Sequence, residues 1–212
     1  MIRPSTVAME EKPNDRRDQR RQLIVGVARQ AFFRTGYGGT TMSAIAASLG
    51  GSKTTLWTYF RNKEDLFSAV VDDLIDLYGA ALRMPLPEDG DLHDVLTELG
   101  VILMETIFQP DIVALHRLVA GEADRFPELG RLLYDVGPKR GHERIGGWIA
   151  VQMARGLLRS GDPLMAAQHF GALCQSGRFQ GHLIGALPAP DATTRRAEVD
   201  LAVEAFLRAY AP

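Results

Sequence analysis

One cysteine in 212 residues, Cys174, excludes an internal disulfide and fits a reducing compartment. No run approaches the ~18 uncharged apolar residues that a membrane span requires, so no membrane is expected among its partners. The first fifteen residues mix Arg3, Glu10, Glu11, Lys12 and Asp15 with few apolar side chains, which leaves no hydrophobic region for a secretory leader. A cytoplasmic location is the expectation. Catalytic signatures are missing as well. His93, His116, His142, His169 and His182 show no paired metal-ligand spacing, and neither Gly-x-Ser-x-Gly nor a phosphate-cradling glycine loop occurs. Cys174 lies in an apolar helical stretch rather than a basic cleft. The expectation is a protein with no enzymatic activity, no cofactor and no metal.

What is present is charge of uneven sign. The formal net charge is −2, yet residues 1–64 hold eleven lysines and arginines against five acids, and the remaining residues carry thirteen against twenty-one. A basic front and an acidic back point to a first part that meets a polyanion and a second part with another task. β-type alternation is absent, and apolar residues recur at helical spacing almost throughout. The expected fold is all-α, with a tail over 1–14 and helices near 15–35, 41–49, 52–60 and 64–83. Further helices are expected near 92–108, 111–123, 127–136, 138–160, 163–185 and 192–210, punctuated by Pro110, Pro127, Gly137-Pro138, Asp162-Pro163 and Pro188-Ala189-Pro190.

The stretch Ser52-Lys53-Thr54-Thr55-Leu56-Trp57-Thr58-Tyr59-Phe60 is too short for a core helix and unusually rich in hydroxyls and aromatics. Thr41 is placed to cap the helix before it, and Gly50-Gly51 permits the tight turn between the two. Two short helices joined in this way match a helix-turn-helix, whose second helix lies in the DNA major groove. Leu56 and Phe60 are four apart and face inward together, which directs Lys53, Thr54, Trp57 and Thr58 to outward or edge positions. Threonine methyls and hydroxyls suit thymine methyls and base-edge acceptors, and Trp57 and Tyr59 suit sugar and phosphate. Core packing beside Leu66 is the alternative for Trp57 and Tyr59, and periodicity alone does not decide whether Thr54 and Thr58 do more than cover an exposed helix face. Arg16, Arg17, Arg20 and Arg21 are either a solvated run or phosphate contacts.

Three segments together resemble the N-terminal domain of tetracycline-repressor-like (TetR-family) transcriptional regulators: Phe32-Phe33-Arg34-Thr35-Gly36-Tyr37, Thr40-Thr41-Met42-Ser43-Ala44-Ile45-Ala46, and Ser52 through Leu66. The resemblance covers about residues 15–70. Gly51 stands where a β-branched residue is common in that family, and Trp57 where tyrosine is common. The resemblance implies a DNA-binding domain over 15–63 and a ligand-binding and dimerisation domain over 64–212, with 64–83 as the linking helix. It implies DNA-contact roles for Thr41, Lys53, Thr54, Thr55, Trp57, Thr58, Tyr59 and Lys63, the last mainly to phosphate. Ser43 and Ser52, in the first turns of the two short helices, complete the candidate set.

The remaining half is expected to form a homodimer, since one short recognition helix covers only part of a DNA site and two half-sites about 34–36 Å apart need a two-fold protein. Candidate interface residues are Phe170, Leu173, Gly177, Leu201 and Ala205, with Ala166, Ala167 and Tyr210 nearby; intramolecular core is the alternative for each. A pocket for a small, largely apolar effector is expected among Leu103, Met104, Ile107, Phe108, Leu115, His116, Leu118, Trp148, Met153 and Phe179, although such a stripe is also what a plain core looks like. The expected activity is repression at a palindromic double-stranded DNA operator, relieved by that effector. A helical adaptor binding another protein is the competing reading, and weak salt dependence of partner binding would mark it.

Overall fold

A computed structural model describes residues 13–50 and 53–212, with side chains from 16–50 and 56–212. Of the expected tail, 1–12 lie outside the described residues, and Pro13 and Asn14 open the first helix. Every regular element among the described residues is helical. The chain divides into two compact units, one through Val70 and one from Val71.

The first unit contains α1 (Pro13–Gly39), α2 (Met42–Ser48), α3 (Lys53–Tyr59) and the opening turns of α4 (Lys63–Tyr78). Gly36, at φ 76°, interrupts α1 in a backbone region that side chains with a Cβ rarely adopt. This bend brings Tyr37 against Phe32 (ring centroids 5.6 Å apart), and Phe67 from α4 meets both edge-on at 5.3 Å. Buried Thr40 fastens the bend: its hydroxyl lies 2.7 Å from the Gly36 carbonyl oxygen and 2.7 Å from the Thr35 hydroxyl. Lys63 reaches back across it, its ammonium donating to the carbonyls of Tyr37 (2.7 Å) and Thr40 (3.1 Å) and standing 4.2 Å from the centre of the Tyr37 ring. Asn62 caps α4 by accepting from the Asp65 amide at 2.7 Å.

In the second unit, α5 (Leu92–Ile107), α8 (Arg140–Ala154), α9 (Pro163–Gln175) and α11 (Ala192–Tyr210) enclose one core containing Leu96, Leu99, Trp148, Phe170, Val199 and Phe206. Three of these helices start on aspartates that accept from amides in their first turn: Asp91, Asp162 and Asp191. Between them run α6 (Pro110–Glu122), α7 (Pro127–Tyr134) and α10 (Phe179–Leu183). At Gly100, α5 approaches α11 so closely that a Cβ would lie 2.6 Å from Val199 Cγ1. Cys174 is buried in this core, which pushes its thiol up to about 12 and leaves it without nucleophilic character at neutral pH.

Element ends depart from the sequence expectations where local signals were overridden or overlooked. Instead of continuing to 83, α4 tightens after Tyr78 into a 3₁₀ turn, Gly79–Leu82, while the Arg83 guanidinium donates to the Ile75 and Asp76 carbonyls at 3.1 Å. The helix expected over 138–160 begins as a π-turn, Asp135–Lys139, that absorbs Pro138. It stops at Ala154, because Gly156 takes φ 72° and the Leu157 amide folds back to the Gln152 carbonyl. The helix expected over 163–185 breaks after Gln175, where the Ser176 hydroxyl donates to the Leu173 carbonyl at 2.7 Å, and resumes as α10.

Two outcomes test these contacts. Lys63→Ala removes two charge-assisted hydrogen bonds and is expected to cost about 1–2 kcal/mol of stability in the first unit, read by thermal unfolding without DNA; an unchanged melting curve would show that the clamp is not formed. Gly100→Ala gains helix propensity but overpacks against Val199, and a net loss of about 1 kcal/mol in urea unfolding is expected.

Candidate nucleic-acid interface and ligand cavity

The reading face is built by burial of its opposite side. Leu56 is 1 % exposed and Phe60 4 %, whereas Trp57, between them on the helix surface, is 43 % exposed and Thr58 is exposed as well. Tyr59 is half-buried, and the Arg21 guanidinium lies 5.4 Å from the Phe60 ring centre, so α1 brings a cation to the end of α3. Sequence periodicity had placed Arg21 only within a basic run; the contact to Phe60 is tertiary.

The other candidate contacts fall as follows. Thr41 is exposed and caps α2, its hydroxyl oxygen accepting from the Ala44 amide at 3.1 Å, and Ser43 is exposed in the first turn. Lys53, Thr54 and Thr55 form the first turn of α3 by backbone, with their side chains outside the description. Ser52 lies outside the described residues. Two of the Lys63 donors go to the Tyr37 and Thr40 carbonyls, so it holds the bend between α1 and α2, a task the sequence did not show.

In the second unit two concavities matter. The larger, an open cleft of about 590 Å³, is lined by Arg83, Arg140, Arg144, Asp76 and Glu143 among others. Two of its guanidiniums are already committed to carbonyls, Arg83 as described and Arg144 to Ala81 at 3.2 Å. The smaller, of about 160 Å³, is more enclosed and mostly apolar, with Ile75, Leu82, Leu103, Ile107, Leu115 and Ile145 in its wall. Both irregular turns, Gly79–Leu82 and Asp135–Lys139, contribute to it through Gly79, Ala81, Leu82, Gly137 and Pro138. Its polar members are Thr106, His116, His142 and Gln175, and no lysine, arginine, aspartate or glutamate is among its described lining residues.

Of the ten residues expected from sequence to line a pocket, Leu103, Ile107, Leu115 and His116 line this cavity. Met104, Phe108, Trp148 and Phe179 are core. The Trp148 indole N–H is taken by the Pro87 carbonyl at 2.9 Å, and Phe108 and Phe179 meet edge-to-face at 5.8 Å. Met153 borders a separate shallow depression with Ala150 and Pro163. Thr106, His142 and Gln175 were not singled out for the cavity, since nothing in their local spacing marks them. Among the interface candidates, Phe170 is buried against Phe206, and Ala166, Ala167 and Tyr210 are buried with it; they belong to the intramolecular core. Leu173 is half-buried. Gly177 is exposed where a Cβ would crowd the Glu198 carboxylate, and Leu201 (67 % exposed) and Ala205 remain on the surface.

Comparison with known proteins agrees with this arrangement. Residues 24–70 match the family described as bacterial regulatory proteins, tetR family, and residues 94–212 match the AefR-like transcriptional repressor C-terminal domain. The chain is 38% identical over 81 residues to the uncharacterized HTH-type transcriptional regulator YhgD of Bacillus subtilis, and 36% over 64 residues to the HTH-type transcriptional regulator RutR of Escherichia coli. Those alignments cover 36% and 30% of this chain and 42% and 30% of the relatives' own lengths. Among solved structures, the flavonoid-responsive regulator FrrA superposes with a TM-score of 0.80 at 28% identity, over 92% of this chain and 98% of that one. A TetR family transcriptional regulator from Pseudomonas syringae pv. tomato does so with 0.74 at 25%, over 92% and 98%. With one family description over the reading face and another over more than half of the chain, this protein belongs to the tetR family of bacterial regulatory proteins, a family of DNA-binding transcriptional regulators and not of enzymes.

Proposed function

We propose that the protein is a cytoplasmic homodimeric repressor that occupies a palindromic operator and is released by a small, largely apolar effector held in its second unit. The observation that carries the DNA reading is the division of α3 into a buried edge, Leu56 and Phe60, and an exposed one, Trp57 and Thr58. Thr41, Ser43, Tyr59 and the first turn of α3 flank that exposed edge in sequence, and the positive balance of the first 64 residues supplies affinity for phosphate. Lys63 contributes by holding the bend that positions α2. The dimer reading is supported by apolar side chains left exposed on two core helices, Leu164 and Met165 on α9 and Leu201 on α11, with Ala205 one turn beyond Leu201. The effector reading is supported by the enclosed apolar cavity and by similarity to a regulator described as flavonoid-responsive. One helix, α4, supplies Phe67 to the first unit's core and Ile75 to the cavity wall, which makes it the element through which the effector biases the reading helix.

Operator binding is tested by retaining sheared genomic DNA from the source organism on the purified protein and titrating the enriched fragment by anisotropy at several salt concentrations. A palindrome whose affinity falls steeply with salt is expected, and Trp57→Ala and Thr58→Ala are each expected to weaken it about tenfold with unchanged melting temperature. No enriched fragment, or binding indifferent to salt, would favour the protein-adaptor reading instead. For the dimer, Leu201→Arg places like charges across a two-fold axis and is expected to shift sedimentation to monomer; a dimer that survives the change puts the interface elsewhere.

A further inference from the structure

The cavity's polar wall has a definite hydrogen-bonding sense. His116 Nδ1 lies 2.8 Å from the Ile112 carbonyl oxygen, which can only accept, so Nδ1 carries the proton and Nε2 of the neutral ring is an acceptor. The Thr106 hydroxyl donates to the Tyr78 carbonyl at 2.9 Å, leaving its oxygen lone pairs. Gln175 donates one amide N–H to the Gly171 carbonyl at 3.0 Å, which orients the amide and leaves its carbonyl oxygen as an acceptor beside a second N–H. His142 Nδ1 is buried with no hydrogen-bond partner, which costs free energy. Burial also lowers the pKa of His142, which keeps the ring neutral.

Three committed groups thus present acceptors to an apolar space without a fixed charge. A carboxylate would meet no lysine or arginine, and an ether or ketone would leave the His116 acceptor unmatched. A hydroxyl donates the one proton that the His116 acceptor takes. The space of about 160 Å³ is that of a single ring, since about 150 Å³ of enclosed apolar volume holds one benzene. Resting on the ligand-responsive reading above, we propose that this cavity binds an uncharged one-ring phenol, its hydroxyl donating to His116 Nε2 and its ring against Ile107 and Leu115.

Titration calorimetry on the full chain without DNA tests this with three probes of one size: phenol, anisole and benzoate. Phenol is expected to fill one site per chain, anisole to bind at least about tenfold more weakly because its oxygen donates nothing, and benzoate not to bind. His116→Phe, checked for an unchanged melting temperature, is expected to erase the preference of phenol over anisole while leaving anisole binding as it was. Equal binding of phenol and anisole, tighter binding of benzoate, or no binding of phenol overturns the assignment. The operator anisotropy assay run with the same probes separates the two readings. Phenol that binds but leaves the operator complex intact supports the cavity assignment and removes the effector mechanism; release by anisole or benzoate alone does the reverse.

Discussion

A helix of seven residues has no stability of its own in water, so α3 persists only while Leu56 and Phe60 are buried. The exposed edge that carries Trp57 and Thr58 is therefore a product of packing on the other side. The same holds one step further back. The first unit's core is organised by the bend at Gly36, where Phe32, Tyr37 and Phe67 meet, and by Lys63, which bonds the Tyr37 and Thr40 carbonyls beside the bend. A cation that sequence alone directs to phosphate is thus used first to hold the scaffold.

The second unit follows a different economy. Its four long helices close a dense core, tight enough that Gly100 has no room for a methyl group. Beside that core lies a volume that the same unit leaves open, walled in part by a 3₁₀ turn and a π-turn rather than by regular helix. Irregular turns widen the separation of neighbouring side chains, and π-turns recur at functional sites for that reason. The polar groups facing the opening are mostly held by backbone carbonyls, so their orientation is set before any ligand arrives.

Both units include part of α4. Its first turns belong to the first unit and its last turn contributes Ile75 to the cavity wall, and the carbonyls at its end are bonded by Thr106 and Arg83. A ligand that altered the packing of Ile75 and Leu82 would act on a helix end that is held by a few named bonds, which is the kind of element a modest differential affinity can bias.

Local interactions are legible in a sequence because both partners lie within a few residues of each other. The caps at Thr41, Asp91, Asp162 and Asp191, the proline that opens α9, and the inward pair Leu56 and Phe60 are all of this kind, and they determined the helical class and which edge of α3 is exposed. Tertiary structure decided what depended on distant partners. It sent Lys63 to carbonyls twenty-six and twenty-three residues away, put Met104 and Trp148 in the core, and gathered His116, His142 and Gln175 from three helices around one cavity. An apolar stripe has the same period whether it faces a neighbouring helix or an opening, so only the packed chain could separate the two.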